Sequence, residues 1–264
     1  MIAPPLPGWV RVGALASVAF LVVPVLGLLV RLPWADIPRL LSTTTASDAL
    51  SLSLATCTAA TVVSAVLGLP LALVLARGPG RLTLALRTLT ALPMVLPPVV
   101  AGLALLITLG RRGVLGQHLA VLGVEVGFTS VAVVIAQAFV AMPYFVVTVE
   151  SALRTSDPAF EAVAAQLGAT PTTALRRVTL PLLAPALVGG ASMAFARALG
   201  EFGATLTFAG SLQGTTRTLP LEIYLQREAD TDAALALALV LIVVALVLMS
   251  GSSWLVARAG VSRG

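Results

Sequence analysis

The stretch RTSDPAFEAVAAQLGATPTTALRRVTLPLLAP, residues 154–185, decides how the chain is interpreted, because it is too patterned for a passive connector. Asp157 is placed to cap a helix that begins at Pro158. Gly168 is placed to end that helix, since glycine readily adopts left-handed backbone angles. Between them, apolar residues recur with the i, i+3, i+4, i+7 spacing of one helix face: Phe160, Val163, Ala164 and Leu167.

A second helix is predicted directly after this glycine. Thr170 can cap it and Pro171 can open it, so the stretch indicates a helix, a glycine turn and another helix. An exposed apolar stripe of this kind requires a partner. It either packs on the protein's own helices or docks a separate soluble protein, and the sequence leaves both possibilities open.

Around this stretch the chain has the composition of an integral membrane protein. Of its 264 residues, 58% are hydrophobic and 10% are charged, with a mean hydropathy of +1.04, whereas soluble domains carry about 25% charged residues. A membrane-spanning helix needs about 20 mainly apolar residues. Six segments qualify: 12–30, 50–76, 86–109, 129–149, 182–208 and 233–257. The first could be a signal peptide, but no A-x-A-like cleavage site follows it, so we expect a retained span.

Residue counts exclude several function classes. All sixteen basic residues are arginines, and a P-loop ATPase needs a lysine on the nucleotide phosphates. One histidine and one cysteine do not suffice for most metal or disulfide frameworks. The sequence also lacks the H-E-x-x-H and G-x-S-x-G patterns that would mark a membrane enzyme. We therefore expect no catalytic residue, metal or cofactor in this chain itself.

The distribution of arginines predicts the orientation in the membrane, since cytoplasmic loops carry an excess of positive charge. With the N-terminus in the cytoplasm, nine arginines fall on the cytoplasmic side: Arg11, Arg77, Arg81, Arg87, Arg154, Arg176, Arg177, Arg258 and Arg263. Six fall outside: Arg31, Arg39, Arg111, Arg112, Arg217 and Arg227. Both termini are therefore expected in the cytoplasm, on the same side as the stretch 154–185.

Prolines interrupt two of the predicted spans. The third span contains Pro97 and Pro98, and the fourth contains Pro143. Proline leaves backbone carbonyls that must find partners inside the protein. The prolines are either tolerated kinks or irregular backbone beside a pathway, and the sequence favours neither.

The fifth predicted span contains FARALGEFGATLTFAG, residues 195–210, with Arg197 and Glu201 four residues apart. Each isolated charge costs about 2.5–3.5 kcal/mol at the bilayer centre, so the pair must face the protein interior or water. Gly200 and Gly203 beside it would let another backbone approach closely. The pair is either a buried structural network or part of a pathway, in which Arg197 attracts an anion and Glu201 holds Arg197.

The stretch 154–185 resembles the EAA loop of ATP-binding cassette (ABC) importer permeases, in which a glycine precedes Leu-Pro at a fixed spacing, here Gly168 and Leu180–Pro181. Glu161 departs from that pattern, because it stands one residue before the usual glutamate position, which Ala162 occupies. One residue turns a helical side chain by about 100°. LPMVLPPVVAGLALL, GRRGVLG, FARALGEFGATLTFAG and TRTLP resemble the molybdate, sulfate and tungstate permeases, and GEFGAT is most similar to molybdate permeases.

This resemblance implies an all-α integral membrane protein of about six transmembrane helices with the type I ABC importer permease fold. Residues 1–49 would hold the first span and an external loop, and residues 50–260 a five-span permease core with its coupling loop at about 154–181. The coupling residues would be Glu161, Val163, Ala164, Leu167, Gly168, Ala169 and Pro171. The pathway or gate candidates are Arg197, Gly200, Glu201, Gly203, Thr205, Pro97 and Pro98.

The resemblance also implies the partners and the location. The permease would form a homodimer with the pathway between its copies, in the lipid of a bacterial or archaeal cytoplasmic membrane. A separate cytoplasmic ATPase would bind ATP and Mg²⁺, an extracytoplasmic protein would deliver the oxyanion, and no nucleic acid would bind. Sulfate or tungstate is an alternative to molybdate as substrate. A channel or an ion-coupled secondary transporter is the alternative of a different class.

Overall fold

The computed structural model describes residues 7–261, and this part of the chain is built of helices. Residues 1–6 of the predicted N-terminal unit and Arg263 of the arginine count lie outside the described residues. The long helices are α1 (Gly8–Arg31), α3 (Thr44–Arg77), α7 (Ser130–Thr155), α10 (Leu180–Leu199) and α13 (Thr231–Val261). The shorter helices are α2 (Ile37–Leu41), α4 (Arg81–Val95), α5 (Pro98–Leu109), α6 (Gly116–Val121), α8 (Ala159–Gln166), α9 (Pro171–Ala174), α11 (Gly203–Ala209) and α12 (Leu219–Ala229).

Within the described residues, five helices are long and apolar enough to cross a membrane, and α4 with α5 forms a sixth candidate. The span that contains α10 begins before α10 itself. It starts at Pro171, because α9 and a π-helical turn, Leu175–Thr179, run into α10 without a break. This agrees with the prediction of about six transmembrane helices. The α1 helix buries none of its side chains in the chain itself.

The predicted third span, 86–109, is wrong as a single helix, since α4 and α5 meet at an angle of 112°. Two successive pre-proline positions explain the break, because a residue that precedes proline disfavours helical backbone angles. Leu96 and Pro97 are both extended, with ψ of 132° and 135°. Pro143 stands alone in α7, and α7 continues through it, so at this position the alternative of a tolerated proline holds and that of irregular backbone does not.

The predicted fifth span, 182–208, is also wrong as a single helix. The α10 helix ends at Leu199, and α11 begins at Gly203 after a three-residue break. Glu201 therefore lies in the break and not on the helix that carries Arg197. The two broken spans lie side by side, because α5 packs against α11.

The core of the bundle lies between α3, α7 and α10. Small side chains line much of this contact, with Cys57, Ala60, Ala141 and Ala194 fully buried. Small residues let helix backbones approach closely, which is how membrane helices gain dispersion energy where no hydrophobic effect drives them together. The cluster also contains the fully buried side chain of Phe145. A tightly packed three-helix core thus lies between the break at the end of α10 and the loop after α7.

Candidate functional site

The loop after α7 folds into the short helix and glycine turn that the sequence predicts, and the second predicted helix, α9, continues into α10 without a break. Asp157 accepts a hydrogen bond from the N–H of Ala159 at 2.9 Å, at the start of α8. Gly168 has φ of +82°, the left-handed conformation expected of a helix-ending glycine. Thr170 then caps α9 by accepting a hydrogen bond from the N–H of Thr173 at 3.3 Å. Local capping chemistry therefore determines the shape of this loop.

The apolar stripe of α8 lies on the surface of the chain. Phe160 is 56% exposed, Val163 53% and Leu167 83%. The smaller side chains of Ala164 and Ala169 are half-buried. The chain's own spans do not cover the three large side chains, so the stripe is a surface that a partner could cover.

Glu161 points elsewhere, although it lies on the same short helix. Its Oε1 accepts a hydrogen bond at 2.6 Å from Nη2 of Arg77, the last residue of α3. The same oxygen accepts a second bond at 2.6 Å from the hydroxyl of Thr179, the last residue of the π-helical turn. The carboxylate therefore faces its own chain, where it connects α8 to the ends of two spans.

The two broken spans approach most closely where α5 crosses α11. A Cβ atom at Gly102 would lie 2.7 Å from the carbonyl oxygen of Ala204 and 2.9 Å from its Cα. A Cβ atom at Gly203 would lie 2.8 Å from the Cβ of Pro98. Gly203 thus permits the close approach that the sequence predicts. Gly200 does not take part in it, since its nearest neighbour is a carbonyl oxygen of α10 at 3.8 Å.

Arg197 and Glu201 form an ion pair across the end of α10, with Nη1 and Oε2 2.7 Å apart. The Glu201 side chain is 1% exposed and that of Arg197 is 26% exposed. The other carboxylate oxygen of Glu201 accepts a hydrogen bond from the N–H of Ala204 at 2.8 Å. Glu201 therefore satisfies a free N–H of the first turn of α11 while it holds Arg197, so the pair joins the two halves of the broken span.

Thr205 lies on α11 one turn beyond Glu201 and is fully buried. Its hydroxyl has no hydrogen-bond partner among residues 7–261. The structure thus places Pro97 and Pro98 at one break and Arg197, Gly200, Glu201, Gly203 and Thr205 at or beside the other. Of these candidates, Pro98 and Gly203 meet at the crossing of the broken spans.

A second charged cluster was missed by sequence analysis. Arg87 of α4 donates to Oε1 of Glu150 from Nε at 2.9 Å and from Nη2 at 2.6 Å, and Nη2 also donates to the carbonyl of Leu75. Arg154 lies 3.6 Å from the same carboxylate oxygen. The four residues line a cavity of about 360 Å³ at the end of the bundle that carries α8. The sequence signal was Glu150 itself, an acid directly after the apolar segment 129–149.

Within residues 7–261, no three His, Cys, Asp or Glu side chains come together where they could hold a metal ion. The arginines and carboxylates instead form pairs between helices. Such an arrangement can hold helices in register and can attract an anion.

Comparison with known proteins supports the resemblance noted in the sequence. Residues 68–260 match the family model described as binding-protein-dependent transport system inner membrane component. The molybdenum transport system permease protein ModB of Mycobacterium tuberculosis is 53% identical over 225 residues, which are 85% of each chain. The sulfate transport system permease protein CysT of Escherichia coli is 34% identical over 200 residues, 75% of this chain and 72% of that protein.

A solved structure shows the same fold. A bacterial ABC transporter involved in the import of the acidic polysaccharide alginate matches with a TM-score of 0.73 over 95% of this chain and 96% of the other, at 19% identity. At that identity the likeness concerns the fold, which is that of type I ABC importer permeases. Family model, sequence relatives and fold agree, and the chain belongs to the binding-protein-dependent inner membrane components, as an ABC importer permease of the molybdate and sulfate group that is most similar to molybdate permeases.

Proposed function

We propose that this chain is the membrane subunit of an ATP-driven molybdate importer and forms the translocation pathway as a homodimer. The observation that carries the proposal is the 53% identity to ModB over 85% of both chains. Sulfate and tungstate are the alternative substrates, because all three anions are tetrahedral dianions and a sulfate permease is also a relative. The binding protein that delivers the anion would make much of this selection.

The loop 157–181 would couple the permease to a separate cytoplasmic ATPase, which binds ATP and Mg²⁺. The exposed side chains of Phe160, Val163 and Leu167 support this role, because an apolar stripe on a short external helix fits a groove on a soluble partner. The turn at Gly168 sets the angle at which α8 is presented. The sequence lacks lysine and therefore a P-loop of its own, which is consistent with ATP hydrolysis in the partner.

The orientation proposed for the chain follows from this docking. The coupling loop and both termini would lie in the cytoplasm, and the loop after α11 would face the extracytoplasmic binding protein. The crossing of α5 and α11 would lie beside the pathway between the two copies. Arg197 would attract the dianion there, and Glu201 would reduce its positive charge so that the anion can leave.

Transport in proteoliposomes tests the proposal directly. The permease is reconstituted with its ATPase and binding-protein partners, and uptake of labelled molybdate is measured with ATP inside the vesicles and with competing tungstate or sulfate. We expect ATP-dependent uptake that requires the binding protein. Uptake driven by an ion gradient without ATP would instead support a secondary transporter. Calorimetric titration of the binding protein with the three anions identifies the substrate.

A further inference from the structure

Glu161 is the meeting point of three elements that are distant in the sequence. Its Oε1 accepts hydrogen bonds from Arg77 and from Thr179, which lie 84 and 18 residues away. Arg77 ends α3, and Thr179 ends the π-helical turn that leads into α10. A single carboxylate oxygen on α8 thus contacts the last residue of α3 and the residue directly before α10.

The contact lies where a movement of α8 would reach the core of the bundle. Both α3 and α10 pack along α7 in the core of the bundle. The π-helical turn that ends at Thr179 has i→i+5 hydrogen bonds in place of the i→i+4 bonds of an α-helix, and such turns are frequent at functional sites. Thr179 itself is buried, whereas α8 is exposed along its stripe. A displacement of α8 would therefore reach α3 through Arg77 and α10 through Thr179.

Stability alone does not account for the contact. The side chains of Arg77 and Glu161 are 52% and 36% exposed, and ion pairs of such exposure contribute little to folding. Two short hydrogen bonds to one oxygen do, however, define the position of α8 relative to both spans. The contact is therefore suited to transmitting a displacement of α8 to α3 and α10.

We propose that Glu161 is a positioning residue that transmits the movement of α8 to α3 and α10 within the same chain, and that it is not a contact with the ATPase. The proposal rests on the coupling function proposed above. Docking would then belong to the exposed stripe Phe160, Val163 and Leu167, and transmission to another side of the same helix, since Glu161 lies about 100° around the helix from Phe160. The two functions can be separated by mutation because their side chains point in different directions.

The test measures two quantities in the full reconstituted complex: recovery of the ATPase with the permease, and the number of anions transported per ATP hydrolysed. For Glu161→Gln we expect normal recovery of the ATPase and a roughly tenfold fall in anions per ATP, a size typical of coupling between sites. Arg77→Gln should behave in the same way. Arg81→Gln is the matched control, since it removes an arginine four residues along the chain, and it should transport normally.

Charge reversal distinguishes an internal pair from a contact with the partner. Arg77→Glu combined with Glu161→Arg should restore much of the transport per ATP, because the pair is re-formed within one chain. Thr179→Val, which removes only the hydroxyl donor, should cause a smaller loss of the same kind and covers the case that Glu161→Gln inserts poorly.

Three results would overturn the proposal: loss of ATPase recovery in Glu161→Gln at normal insertion, unchanged transport per ATP in that variant, or absence of rescue by the charge reversal. Failure of the unmodified permease to recover the ATPase would refute the proposed coupling function instead. The two failures are therefore distinguishable in the same experiment.

Discussion

Removal of one charge from the Arg197–Glu201 pair should destabilise the protein by an amount that depends on which partner is left behind. Arg197→Gln leaves the carboxylate of Glu201, which is 1% exposed, without its counter-charge. Breaking a buried pair in this way costs roughly 3–5 kcal/mol, and we expect about 4 kcal/mol. The remaining bond from the N–H of Ala204 compensates only in part.

Glu201→Gln should cost less, because the Arg197 side chain that it leaves is 26% exposed and can reach water. The amide oxygen of the new glutamine can still accept the bond from Ala204, so the loss is that of one charge-assisted bond, about 2 kcal/mol. The double variant should lose less than the two single variants together, since neighbouring groups couple by about 0.5–3 kcal/mol.

Thermal unfolding of the purified complex in detergent measures these differences. At about 2–4 °C per kcal/mol for a chain of this size, Arg197→Gln should lower the midpoint by about 8–16 °C and Glu201→Gln by about 4–8 °C. Arg39→Gln is the control, because Arg39 and Asp36 form an exposed i,i+3 pair worth about 0–1 kcal/mol. Equal or greater damage from Glu201→Gln, or strictly additive losses, would refute the reasoning from burial.

The same variants separate a structural role from a pathway role. If both assemble with the ATPase and keep ATPase activity that the binding protein stimulates but lose uptake, the pair acts in the pathway. If they fail to assemble, the pair is structural. Normal transport by both variants would show that transport does not need the Arg197–Glu201 pair, despite the cost of placing two charges in a membrane protein.

Three further predictions concern the loop, the crossing of the broken spans and the orientation. Gly168→Val should abolish ATPase recovery and transport while the protein still inserts, because valine is strained at φ of +82°; a normal complex on pull-down would contradict this. Gly102→Ala should destabilise the protein by about 1–3 kcal/mol through overpacking against the backbone of α11. Gly189→Ala should not, because the space around Gly189 is open. Equal unfolding midpoints of the two variants would contradict the close crossing of α5 and α11. A cysteine introduced at Thr170 should be protected from impermeant reagents in intact cells, and labelling from outside would overturn the orientation.

The prolines show how far the sequence predicts a broken span. Pro97 and Pro98 indicate a break, because each restrains the residue before it, whereas Pro143 carries the same chemistry and leaves α7 continuous. The difference lies in two adjacent prolines against one and in the packing of α7 between α3 and α10. The angle of 112° between α4 and α5 has no signal in the sequence, since it depends on how α5 packs on α11.

The arginine and glutamate of the fifth span show the same limit. Their spacing of four residues predicted that they could pair, and they do pair, although α10 ends between them. The close approach at Gly203 was predicted from its small size, but its partner Pro98 was not. Nothing in the local sequence specifies a neighbour that lies a hundred residues away.

The sequence by itself determined the membrane-spanning character of the chain, the approximate spans, and the short helix, glycine turn and second helix start in the loop after α7. Hydropathy, capping and the glycine turn act within a few residues, so each can be derived from a local pattern. The tertiary structure alone decided that Glu161 bonds Arg77 and Thr179, that Glu150 bonds Arg87, and that Gly102 faces Ala204. These contacts join residues 18 to about 100 positions apart, and helix packing, which depends on the whole chain, brings them together.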